Sequence, residues 1–169
     1  MNDKIQWIFV HHTAVSHSKN PDQWEATNAY HKQEFNMKSS LGWYVGYNYE
    51  ISRDGVVRKA REEGEETAAV KGYNKNSVSI CLDGNFDIEL PTEAQKTALT
   101  ALLKEVRERH VIPIENIRPH RSVAQKSCYG SRLPDDWAMS LLKTENPLKR
   151  FSTQELVNEL QRRINAREL

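Results

Sequence analysis

The chain has 169 residues, 38% of them hydrophobic and 28% charged, with 24 Lys and Arg against 23 Asp and Glu for a formal charge of +1. A chain of this length folds around one core that removes ~70% of the unfolded surface from water. The near-neutral balance argues against duplex nucleic-acid binding through neutralised phosphates, and two cysteines are too few for a disulfide-stapled scaffold.

The segment Met1–Val15 has neither an apolar signal core nor a cleavage site, and no apolar run approaches the ~20 residues of a membrane-spanning helix. The expectation is a soluble chain, cytoplasmic as synthesised, with no membrane partner. Ile5–His12 is dense in Trp, Ile, Phe and Val and reads as a buried strand that delivers His11 and His12 at its end. Asn20 as cap and Pro21 at the first helical position open a helix to about Asn36, with Trp24, Thr27, Tyr30 or His31, and Phe35 along one stripe. Tyr44–Ile51 alternates, placing Val45, Tyr47, Tyr49 and Ile51 on one face of a second strand. Arg53-Asp54-Gly55 turns it into Val56–Lys59. The glutamate-rich Arg61–Glu66 reads as a solvated loop.

Ser77–Leu82 alternates again, with Val78, Ile80 and Leu82 opposite Ser77, Ser79 and Cys81. Thr92 and Gln95 form a capping box for a helix to about His110, whose Ala94, Ala98, Leu99, Leu102, Leu103 and Val106 recur at helical spacing. Pro113 and Pro119 bracket a short connection, and His120–Pro134 is an irregular Ser- and Gly-containing loop with several reactive side chains. A third helix starts near Pro134 and turns Trp137, Leu141 and Leu142 inward until Asn146-Pro147 interrupts it. Ser152 and Glu155 cap a terminal amphipathic helix with Leu156, Val157, Leu160 and Ile164 on its apolar stripe; Arg162, Arg163 and Arg167 near its end suit the helix dipole. Strands between helices imply an α/β (α+β) layered fold, a central mixed sheet flanked by helices with an additional C-terminal helix.

A zinc hydrolase needs about three protein ligands and an open position for water. His11 or His12 at a strand end, with His120 and Cys128 eight positions apart in one loop, offer such a set. A Cys128–His120 thiolate pair is the other nucleophilic arrangement available, but it leaves His11 and Tyr47 unexplained. His17, His31 and His110 read as structural side chains on helical or loop surfaces, and Cys81 as a small free thiol on its strand.

IFVHHTA, VGYNYEISRDGVV, KGYNKNSVSICLDGNF and PHRSVAQKSC, in this order from Ile8 to Cys128, resemble the zinc-dependent N-acetylmuramoyl-L-alanine amidases of the peptidoglycan recognition protein and phage lysozyme type. The resemblance implies one Zn²⁺ held by His11, His120 and Cys128. Neighbouring strand side chains point to opposite faces, which agrees with a single ligand at the His-His pair; His12 is then packed or hydrogen-bonded beside the site. It further implies catalytic roles for Tyr47, which orients the attacking water or bonds the tetrahedral intermediate, and for Lys126, which stabilises the oxyanion.

The implied function is cleavage of the amide between N-acetylmuramic acid and L-alanine in peptidoglycan by a monomeric phage or prophage endolysin, which reaches the wall after membrane breach. The alternatives are a cytoplasmic muropeptide-recycling amidase and a non-catalytic peptidoglycan-binding or regulatory module with a protein partner. Asn74, Asn76 and Arg121 are candidate substrate contacts; Asn74 and Asn76 have turn roles as alternatives. Where many relatives have a histidine before the Gly-Tyr-Asn block, this chain has Ala68 and Ala69, so one substrate contact is missing or replaced. The expected organisation is a catalytic domain over residues 1–146 and a helical extension over 147–169.

Overall fold

The computed structural model describes residues 4–20, 22–143 and 153–165. Five strands, β1 (Trp7–His12), β2 (Tyr49–Ile51), β3 (Val57–Lys59), β4 (Ser77–Leu82) and β5 (Ile117–Pro119), form one sheet in the order β3-β2-β4-β1-β5. All pairings are parallel except the β2–β3 hairpin. With helices α1 (Trp24–Glu34), α2 (Glu93–His110), α3 (Trp137–Lys143) and α4 (Thr153–Asn165), this is the expected mixed-sheet α+β architecture.

Period-two alternation gives the sheet two unlike faces. Ile8 and Val10 of β1, Val78, Ile80 and Leu82 of β4, Tyr49 and Ile51 of β2, and Ile117 of β5 join Leu99, Leu102, Leu103 and Val106 of α2 and Ala138 of α3 in the main core. The opposite face carries His11 on β1, level with Cys81 on β4, which is level with Glu50 on β2, which faces Arg58 on β3. One polar row therefore crosses four strands. The Thr92–Gln95 capping box forms as expected and fixes the start of α2.

Several sequence expectations change. The cap at Asn20 does not form: α1 begins at Trp24, and its N-cap Gln23 has no side-chain capping bond. Instead, Asp83 Oδ2 accepts from the Gln23 N–H at 2.9 Å and Asp22 Oδ1 from the Trp24 N–H at 3.2 Å. Long-range and local carboxylates do the work of the expected cap. Pro21, the Asn146-Pro147 interruption, Ser152 of the terminal capping box and the boundary at 146/147 lie outside the described residues.

The second strand is shorter than its alternation predicts, because the N–H groups of Tyr44 and Gly46 bond side chains of α1, and the backbone reaches β4 only from Asn48, whose N–H donates to the Ser79 carbonyl at 3.0 Å. Tyr44 N–H donates to Asn28 Oδ1 at 2.7 Å and Gly46 N–H to His31 Nδ1 at 2.9 Å. Val45 and Tyr47 accordingly belong to a second cluster with Trp24, Trp43 and Ala60, away from Tyr49 and Ile51. The connection between Pro113 and Pro119 contains β5, an edge strand that tolerates Pro119.

Arg61–Glu66 is not simply solvated. Arg61 is 1% exposed, and its guanidinium donates to the backbone carbonyls of Val45, Met37 and Glu66. Glu63 ties Tyr49 to Arg109 and His110 at the end of α2.

Candidate functional site

The C-terminal end of β1 builds the site. His11 points to the polar face of the sheet and is 1% exposed. On the opposite face His12 Nδ1 accepts from the Phe86 N–H at 3.0 Å, the packed role expected of it. β5 lies beside β1, with Val10 level with Pro119, so the chain leaves the sheet at His120 next to His11. Their rings stand 4.8 Å apart between centroids.

Cys128 arrives on the following loop, its Sγ 3.6 Å from His11 Nδ1. The ligand atoms of His11, His120 and Cys128 all lie within 4.8 Å of one another, the one group of this kind among the described residues. His11 Nε2 is buried without a hydrogen-bond partner, a costly state unless something binds there. Two imidazoles and a thiol, with one orphaned ring nitrogen, suit a tetrahedral ion such as Zn²⁺.

Burial, then His120 and other nearby positive groups, holds His11 far below the usual histidine range. Burial followed by Lys126 brings His120 down to about 4. Both rings are neutral at pH 7, as ligands must be. Burial pushes the Cys128 thiol up to about 11, so its conversion to a thiolate requires a cation in place of the proton.

Tyr47 packs at a tilt against His11, centroids 5.0 Å apart, and meets His31 edge-on at 5.2 Å. Burial, and next the Cys81 and Cys128 thiols, raises its phenol well above the usual range, so it remains a hydroxyl donor rather than a base. Exposed Lys126 lies close enough for its charge to hold both His11 and His120 down. His11, His120, Cys128 and Tyr47 therefore meet at one end of the sheet.

The expected substrate contacts do not meet them. Asn74 Oδ1 accepts from the Ala69 and Val70 N–H groups at 3.1 and 2.7 Å, and Asn76 O accepts from the Gln6 N–H. Both precede Ser77, the β4 residue level with Trp7 at the far end of β1. They take the turn role. Arg121 is also committed: its guanidinium donates to the carbonyls of Gly130 and Leu133 and to Asp135 Oδ1, and its N–H to the Cys128 carbonyl.

The sequence reading missed two features. His31 is buried at 6% exposure, not on a surface, and with Thr13, Gln23, Thr27, Tyr30 and Tyr47 it lines a groove of about 450 Å³ beside the triad. Asp87 anchors the Cys128 loop, accepting from Ser127 Oγ at 2.9 Å and the Ser131 N–H at 2.7 Å. A histidine one turn after Thr27 on a helix stripe was the available signal for His31; no local pattern marks Asp87.

The family described as N-acetylmuramoyl-L-alanine amidase matches residues 1–131. An endolysin of Escherichia phage T7 is 34% identical over 146 residues, covering 82% of this chain and 89% of that protein. Peptidoglycan-recognition protein SC2 of Drosophila melanogaster is 29% identical over 135 residues, covering 76% of this chain and 70% of that protein. Among solved structures, the N-acetylmuramoyl-L-alanine amidase LysC from Clostridium intestinale URNW superposes with a TM-score of 0.70 at 27% identity, covering 85% of this chain and 89% of that one.

Proposed function

The chain belongs to the N-acetylmuramoyl-L-alanine amidase family, and from that premise we propose that it is a zinc-dependent endolysin that cleaves the bond between N-acetylmuramic acid and L-alanine in peptidoglycan. The observation that carries this reading is the convergence of His11, His120 and Cys128 beside Tyr47, Lys126 and an open groove. No described helix is long and apolar enough to cross a membrane; on this reading the protein meets its substrate after the membrane is breached. Residues 1–146 form the catalytic unit and 147–169 a helical extension, a division supported by the family match over 1–131.

His11, His120 and Cys128 would hold one Zn²⁺, which when bound supplies a Lewis acid and lowers the pKa of water to ~7. The groove lined by Tyr47, His31, Thr27 and Tyr30 receives the stem peptide and sets the lactyl carbonyl against Tyr47 and Lys126. Tyr47 keeps its proton and donates a hydrogen bond to the water or to the oxyanion. Lys126 brings a positive charge to the oxygen on which negative charge develops, the term that dominates acyl-transfer catalysis.

Substitutions separate these roles. Lys126→Ala should lower kcat by about 10²–10³-fold, the usual cost of losing one oxyanion donor, while its zinc content stays at one ion per chain. Cys128→Ala should lose metal and activity together. Lys126→Ala at wild-type kcat, or full activity in a zinc-free Cys128→Ala protein, would overturn the assignment.

A further inference from the structure

Glu50, on the row that crosses the sheet from His11 through Cys81, is 1% exposed, and neither of its carboxyl oxygens has a hydrogen-bond partner. Its polar neighbours are the Thr27 hydroxyl and the carboxyl of Asp83, which is 0% exposed with Oδ1 likewise unpartnered. Acceptor faces acceptor. Two bare carboxylates in such a place repel and are undersolvated, which a fold tolerates only with something between them.

The surroundings identify what that is. The nearest cation, Arg58 on β3, is engaged by Asp22 through two bonds of 2.8 and 2.6 Å. From α1 the Thr27 hydroxyl faces Glu50, from β4 the Cys81 thiol does, and Tyr47 approaches from the preceding loop; none of these supplies a positive charge. A calcium ion would ask for six or more oxygens, and no described cluster of three or more His, Cys, Asp or Glu side chains includes this pair. One proton between the carboxyls gives an orphaned oxygen on each a partner at once.

We infer that Glu50 and Asp83 share one proton at neutral pH, Glu50 donating to Asp83, and that the pair is a positioning element for Tyr47 acting through Cys81. Asp83 is the anionic member because its Oδ2 already accepts the Gln23 N–H at the start of α1, where the helix dipole favours negative charge. Burial, then the facing Asp83, pushes Glu50 up to about 9, and burial pushes Asp83 up to about 6. The Tyr47 hydroxyl and the Cys81 thiol are hydrogen-bond neighbours, and Cys81 stands level with Glu50. Loss of the shared proton puts two negative charges under that contact and under Thr27, a lining residue of the groove.

The sign follows from linkage. Between the ordinary glutamate range and about 9 the folded protein holds a proton that the unfolded chain has released, so stability falls as pH rises toward 9. One such proton corresponds to about a tenfold loss in the folding equilibrium constant per pH unit.

The test is urea unfolding of the zinc-loaded full chain from about pH 6 to about pH 9, the window of the linkage above, for wild type, Glu50→Gln and Asp83→Asn. An amide at position 50 still donates to Asp83 but cannot ionise. Glu50→Gln should therefore gain about tenfold in folding constant over wild type for each pH unit across that window, with zinc content unchanged. Asp83→Asn, which removes the anion that the proton bridges and leaves Glu50 raised by burial alone, should end the slope at a lower pH than in wild type. Parallel stability profiles for all three proteins would overturn the shared proton, as would a second divalent ion per chain that Glu50→Gln abolishes. The positioning role rests on the amidase reading and has its own readout: kcat of wild type should fall more steeply than that of Glu50→Gln across the same window. Identical kcat profiles with divergent stability profiles would refute positioning alone, and the unfolding arm needs no substrate, so failure of the amidase reading is seen separately.

Discussion

Arg121 directly follows His120, and a cation at that position makes a substrate role natural for it. Its guanidinium instead closes the Cys128 loop, reaching the carbonyls of Gly130 and Leu133 and the carboxylate of Asp135, and lies 5.4 Å from the centroid of the buried Tyr129 ring. The side chain thus holds the Cys128 loop in place, and groups that support a metal-binding loop in this way are worth about 10–100-fold in metal affinity. Arg121→Ala should weaken zinc binding by about that factor, measured by competition with a chelator, while KM of the zinc-saturated protein stays near wild type. Unchanged zinc affinity with a raised KM would return Arg121 to the substrate. Gly130 serves the same loop differently. Its φ is +110°, and a Cβ there would stand 2.4 Å from Cβ of Phe86, so only glycine allows the loop to pack on the segment that also carries Asp87.

The elements show where stability remains to be gained. Helix α2 ends on Val111, a β-branched residue at φ +55° with 79% exposure, although the backbone bond from the Ile112 N–H to the Arg107 carbonyl closes the helix well. The left-handed conformation costs an L residue about 1–2 kcal/mol and glycine almost nothing. Val111→Gly should stabilise the protein by about 1 kcal/mol, net of the extra entropy of an unfolded glycine, and raise Tm by about 2–4 °C without touching activity. An unchanged or lower Tm would show that the αL strain is relieved some other way. The same helix was the most legible element in the sequence, because its capping box and apolar stripe are local signals that survive tertiary packing. β1 and β4 were legible for a similar reason, through density and alternation.

What local pattern could not show is decided at long range. The stretch from Tyr44 to Asn48 alternates like a strand, yet the N–H groups of Tyr44 and Gly46 go to Asn28 and His31 on α1, and only at Asn48 does the backbone reach Ser79 of β4. β5 hides behind Pro119 because an edge strand can hold a proline. Arg61 sits among four glutamates and is nonetheless buried, since the backbone carbonyls of Val45 and Met37 on the α1–β2 connection and of Glu66 on its own loop take its donors. His11, His120, Cys128, Tyr47 and Lys126 could be singled out because ordered motifs carry them; Asn74, Asn76 and Arg121 lack such support, and the side chains of Asn74 and Arg121 bond the backbone around them.

At the scale of the molecule, the sheet divides labour between its faces. One face is a hydrophobic layer under α2 and α3; the other carries the row His11, Cys81, Glu50 and Arg58, and with it the triad of His11, His120 and Cys128 and the groove. Polar groups on a buried face cost stability, and a bound ion offsets part of that cost by favouring the folded state alone. An ion at a thousand times its Kd contributes about 4 kcal/mol. Exhaustive chelation should therefore lower Tm measurably, with recovery on adding back Zn²⁺, and the drop should vanish in Cys128→Ala. A chelation-insensitive wild-type Tm would mean that the triad does not bind metal tightly in the folded protein.

The most direct test is chemical. Purified sacculi digested with the zinc-loaded chain should release peptides whose new N-terminus is the free amine of L-alanine, with no new reducing ends on the glycan. Release of reducing sugars without free L-alanine amines would make the protein a glycosidase, and tight sacculus binding with no release would make it a binding module; either result would contradict the account.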